Sequence, residues 1–123
     1  MNAIERARTA YASPTAPVRT TQSLEYDAFA KVTSRLAASD PEGGYAEMLH
    51  ALQDNRQLWL YVATHVADPA NDLPQDLRAR LFYLAEFTFA TINKIILHKD
   101  SPAILVEVNT AVMRGLKAQE TGR

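Results

Sequence analysis

The sequence predicts an all-α fold: a compact antiparallel bundle of four main helices, preceded by a short N-terminal helical segment. Three observations carry this. Each long segment spaces its apolar residues as a helix does, not in the alternation of a strand. The breaks between segments are short clusters built around proline, glycine and aspartate. Neither βαβ alternation nor a glycine-rich phosphate loop occurs in the sequence, so short connections between helices leave a bundle as the economical packing.

The elements follow in order. Residues 2–12 read as a weak helix, and "SPTAP" at 13–17, with prolines at 14 and 17, reads as a linker. Residues 1–20 are thus an N-terminal segment and linker, 21–118 the helical domain, and 119–123 a tail. The first main helix spans 21–38 and "SDPEGG" at 39–44 ends it and starts the next, over 45–67. "DPANDLP" at 68–74 separates that helix from one over 73–98, and "HKDSP" at 98–102 leads to the last, over 103–118.

The polar stretch "NDLPQDLR" at 71–78 reads as helix initiation. Asp68 precedes a proline and cannot easily continue the helix before it. Asp72 is a good N-cap, with Gln75 three positions later as in a capping box. Pro74 suits a first turn because its missing N–H has no helical partner there, and Asp76 favours the positive end of the helix dipole.

The apolar faces carry polar exceptions. At about 100° per residue, Met48, Leu49, Leu52, Trp59, Val62 and Val66 share one broad side of the 45–67 helix, and Asn55 and Arg56 fall inside it. Ile104, Leu105, Val108, Val112 and Leu116 form the stripe of the last helix, with Asn109 at its edge near Met113. Glu25 lies among Phe29, Val32 and Leu36, and a buried Glu25 would need a cation, for which Arg56 and Arg78 are candidates. The plain expectation is that Asn55, Asn109 and their neighbours satisfy one another and set helix register; the alternative is that some line a partner groove. Trp59 is expected in the core. The 73–98 helix places Leu77, Leu81, Leu84, Thr88, Phe89, Ile92, Ile95 and Ile96 on its main face. Tyr83, Phe87 and Leu97 lie off that face, either covered by another helix or exposed for binding.

Composition bounds the function. The chain has 123 residues, 47% hydrophobic and 22% charged, which suits one domain with one modest core. A net charge of −1 offers no field for nucleic acid or an anionic membrane. The absence of cysteine excludes disulfides and thiol catalysis. The start lacks the apolar run of a secretory signal, and no stretch approaches the ~20 apolar residues of a membrane span. A cytoplasmic protein is the expectation. His50, His65 and His98 are scattered, HExxH does not occur, and no Ser–His–acid set follows from spacing. Catalytic, metal and cofactor sites are not expected.

Four motifs narrow this further: "LEYDAFAKVTSRL" (24–36), "NRQLW" (55–59), "PANDLPQDLRARL" (69–81) and "VNTAVMRGL" (108–116). Their order and spacing resemble the alphaproteobacterial flagellar biosynthesis regulator family FlaF, over roughly residues 19–118. The resemblance implies a cytoplasmic, non-enzymatic protein needed for flagellin production and export, acting beside a second regulator, FlbT. It also implies direct flagellin binding in the manner of a secretion chaperone; the alternative is a post-transcriptional adaptor of flagellin synthesis acting through FlbT. The positions carried over by motif are Asn55, Leu58, Trp59, Asn71, Leu73, Pro74, Leu77, Arg78, Asn109, Met113, Gly115 and Leu116. The expected partner surface is the one shared by the third and fourth main helices, with Tyr83, Phe87, Leu97 and Met113 as contacts.

Overall fold

A computed structural model describes residues 21–121, with side chains over 26–118. It contains α1 (Thr21–Ala38), α2 (Tyr45–Ala67), α3 (Gln75–His98) and α4 (Ala103–Thr121), and no strand among the described residues. The fold is the expected all-α bundle. α1 and α2 have the bounds read from the sequence. α3 starts two positions later than read, and α4 continues to Thr121, into what was read as a tail. The segment 1–20, its helix at 2–12 and the side chain of Glu25 lie outside the described residues.

Two clusters of buried side chains give the chain direction. One holds Phe29, Trp59, Val62, Leu81, Ala85 and Leu116. The other holds Leu36, Met48, Leu52, Ile92, Ile95 and Leu105. Each helix passes from one cluster to the other, and successive helices do so in opposite senses, which is an up-down-up-down bundle. α2 packs against α1 and α3, and α4 packs against α1. α3 and α4 touch only sparsely although four residues join them.

Between the two clusters runs a layer of polar groups, one from each helix: Thr33, Asn55, Thr88 and Asn109 are all buried. On α1 Thr33 falls between Phe29 and Leu36, and on α4 Asn109 falls between Leu105 and Leu116. The Asn109 amide nitrogen donates to Asn55 Oδ1 at 2.8 Å, and Trp59 Nε1 donates to Asn109 Oδ1 at 2.9 Å. Trp59 is fully buried, edge-on to Phe29 with ring centroids 5.4 Å apart. Asn109, read at the edge of its stripe, therefore sits at the centre of the bundle, because α4 crosses opposite α2.

The connection 68–74 differs from the capping reading. Asp72 is exposed and makes no cap; Pro74 occupies the N-cap position with φ −55° and ψ 143°, and α3 begins at Gln75. Asn71 takes over locally, its Oδ1 accepting the Leu73 N–H at 2.9 Å. Arg78 reaches back, donating from Nε to the Val66 carbonyl and from Nη2 to the Asp68 carbonyl, both at 2.9 Å. A guanidinium at the carbonyl end of α2 satisfies groups the helix leaves open and opposes its dipole. Asp68 itself is extended, as its place before Pro69 requires.

Candidate functional site

The open edge between α3 and α4 forms a groove of about 340 Å³. Leu77, Leu81 and Leu84 of α3 line one side, with Arg80 at the lip. Ala111, Val112, Gly115 and Leu116 of α4 line the other. Leu81 and Leu116 are buried and continuous with the Trp59 cluster, so they form the floor. Leu77, Leu84 and Val112 are half-buried walls, while Arg80, Ala111 and Gly115 are exposed.

The local sequence explains why the groove is open. Ala111 and Gly115 are four residues apart, so both stand on the same side of α4 and offer almost no side chain toward α3. A Cβ built at Gly115 would meet nothing within 4 Å. Glycine within a helix costs about 1 kcal/mol relative to alanine. Here its smallness serves no contact inside the described monomer. The same pattern, "AVMRG", was the one sequence signal for the groove: a glycine inside a periodic helix marks either a close approach or a functional position.

Tyr83 and Phe87, expected as partner contacts, are exposed, at 66% and 36%. Phe87 is one turn beyond Leu84, and Tyr83 one turn beyond Arg80, but neither is among the residues that line the groove. Leu97 is 76% exposed but lies near the far end of α3, away from this patch. Met113 is also misplaced by the sequence reading. It is half-buried on the α1 side of α4, lining a shallow depression with Tyr26 and Lys117, whose Nζ sits 5.4 Å above the Tyr26 ring. Leu97 and Met113 therefore stand apart from Tyr83 and Phe87, and the four do not share one surface.

The other motif residues divide between framework and surface. Asn55, Trp59 and Asn109 are core, and Asn71 and Arg78 tie the α2–α3 connection. Arg56 is half-buried at the α2–α3 seam and donates to Asn93 Oδ1 at 3.0 Å, and Arg78 donates to the carbonyls at the end of α2; the expected pairing of either with Glu25 lies outside the described residues. Ile96 and Ile104, read as core, are exposed at 38% and 43%. Each stands at the edge of its apolar stripe near the α3–α4 link, where none of the other described helices covers it. Leu60 and Phe82 add exposed apolar surface on α2 and α3.

Among the described residues no group of three or more His, Asp or Glu side chains is placed to hold a metal ion. None of the described helices is long and apolar enough to cross a membrane. The groove offers apolar walls and one cation. That chemistry suits an amphipathic helix laid along it, with its apolar face inward and an acidic residue toward Arg80.

One protein family, described as "Flagellar protein FlaF", has a model that matches residues 7–116. The match contains all four motifs and extends ahead of them into the segment before α1. Neither a curated protein nor a solved structure matches the chain.

Proposed function

This chain belongs to the FlaF family of flagellar proteins and has a role in flagellum biogenesis; from that premise we propose that it binds unassembled flagellin as a non-enzymatic secretion chaperone in the cytoplasm. The observation that supports this reading is the open α3–α4 edge, where Ala111 and Gly115 leave an apolar trough beside Arg80, with Tyr83 and Phe87 exposed elsewhere on α3. An unassembled flagellin subunit has amphipathic helical ends that must be covered to prevent premature polymerisation. A helix seated in the trough is held by a few apolar anchors, and the Arg80 guanidinium sets its register through an acidic flank. No bond is made or broken in this role.

The test fills the trough. In Gly115→Leu the new side chain occupies the space that a partner helix needs, without meeting a protein atom at its Cβ. Flagellin affinity, measured by titration calorimetry, should fall at least ~10-fold, which is about 1.4 kcal/mol, with an unchanged helical spectrum. Undiminished affinity in the folded variant would remove the groove as the flagellin site. Co-purification of the native protein with flagellin and FlbT, with and without ribonuclease, tests the partners themselves. Recovery of FlbT without flagellin, lost on ribonuclease treatment, would favour an adaptor of flagellin synthesis instead.

A further inference from the structure

We infer that the outward face of α3 pairs with the same face of a second copy of this chain, antiparallel and about a two-fold axis at Ala90. At about 100° per residue, Tyr83, Glu86, Phe87, Ala90, Lys94 and Leu97 fall within a sector of roughly 100°, opposite Leu81 and Ile92. Leu81 and Ile92 are buried while those six are exposed, so none of the other described helices covers this side. The face is separate from the α3–α4 groove, because Leu77 and Leu84 stand roughly 120–140° round the helix from Ala90. Pairing here is therefore independent of flagellin and of what fills the groove.

Three features select a second copy as the occupant. The first is the placing of apolar surface. Tyr83 and Leu97 are the most exposed large hydrophobic side chains among the described residues, at 66% and 76%. They point the same way but lie about 21 Å apart along α3 at ~1.5 Å per residue, too far to form one patch within a monomer. Each is seven residues from Ala90. An antiparallel pair centred on Ala90 therefore sets Tyr83 of each copy level with Leu97 of the other, and both are covered at once.

The second feature is charge. Glu86 and Lys94 are each four residues from Ala90, so the same operation sets Glu86 of each copy level with Lys94 of the other. No ion pair among the described residues involves either side chain. A parallel pair in register would instead bring like charges together, so charge selects the antiparallel arrangement.

The third feature is the axis itself. Ala90 is exposed and small, which lets two helices cross at the usual 8–10 Å or so. A two-fold interface requires that if one residue meets a second, the second meets the first. Matched spacings of four and seven residues on either side of one alanine meet that requirement for both the charged and the apolar pairs.

Sedimentation velocity of the full chain across micromolar concentrations should show a monomer–dimer equilibrium. Glu86→Lys and Lys94→Glu each place two like-charge pairs at the interface, and each should raise the dimer dissociation constant at least ~10-fold with an unchanged helical spectrum. An equimolar mixture of the two variants should dimerise again, because in the mixed pair both contacts join opposite charges. The natural absence of cysteine allows a second readout. Under mild oxidation Ala90→Cys should cross-link into a dimer roughly tenfold faster than Glu107→Cys, which is exposed on α4. A native chain that stays monomeric, a dimer that neither charge variant weakens, or variants that remain monomeric when mixed would each overturn the inference. So would a dimer that Gly115→Leu dissolves and Glu86→Lys spares, which would put the second copy in the groove. A monomeric native chain whose flagellin affinity falls with Glu86→Lys would make flagellin the occupant of this face instead.

Discussion

The two flanks of α3 are built differently. Toward α2 the helix is closed: Phe89 packs on the core, Asn93 accepts from Arg56, and Arg78 grips the last carbonyls of α2. Toward α4 it is open, although the connecting stretch there, residues 99–102, is shorter than the one toward α2. Sequence proximity therefore does not decide which helices pack. Side-chain size does: α2 presents large side chains and long polar ones toward α3, whereas α4 presents Ala111 and Gly115. α4 instead buries Leu105, Asn109 and Leu116 in the common core and lies against α1. The difference teaches that the open edge is a property of two small residues, and that it can be closed or widened without rebuilding the fold.

The largest effect should come from the closed interior. Trp59→Ala removes a fully buried ring together with the indole N–H that Asn109 accepts, and should cost roughly 3–5 kcal/mol in chemical denaturation. A folded variant of near-native stability that had lost only its partner would show that Trp59 serves binding and not the core.

Next is the clamp between α2 and α3. Arg78→Met keeps much of the aliphatic stem but leaves the Val66 and Asp68 carbonyls without the guanidinium, and should lower stability by about 1–2 kcal/mol. An unchanged unfolding midpoint would mean that water replaces the clamp at no cost and that the closed flank owes little to it.

The open edge should respond in the opposite direction. Gly115→Ala adds a Cβ that meets nothing and removes the conformational freedom of a glycine in a helix, so stability should rise by about 0.5–1 kcal/mol. A loss of stability in thermal melts would indicate that the space at Gly115 is already filled in solution.

The smallest effect is expected at Asp72, which is exposed and makes no cap. Asp72→Ala should change stability by less than ~0.5 kcal/mol, while Asn71→Ala, which removes the acceptor for the Leu73 N–H, should cost about 1 kcal/mol. Reversal of that order in a paired denaturation experiment would restore Asp72 as the cap.

Asn71 and Asp72 show where local pattern stops being informative. Both are residue types that initiate helices, they are adjacent, and either could satisfy a free N–H near the start of α3. Arg78 decides between them by pulling the connection against the end of α2, a constraint from outside the segment. Met113 and Val112 make the same point on α4. Helical periodicity placed them near one stripe, but which neighbour each faces depends on α4 lying against α1 and standing away from α3.

The sequence by itself determined the all-α class, the bounds of α1 and α2, the burial of Trp59, Asn55 and Asn109, and, through its motifs, membership of a flagellar family. These follow from periodicity, from proline and glycine punctuation and from residue order, all of which act within a helix or along the chain. Only the tertiary structure decided that Asn55, Asn109 and Trp59 join across α2 and α4, that Met113 turns toward α1, and that Ala111 and Gly115 face a groove. Those outcomes depend on the azimuth and spacing of helices far apart in sequence. They are set by which large side chains fill the shared core first and which small ones are left at its edge.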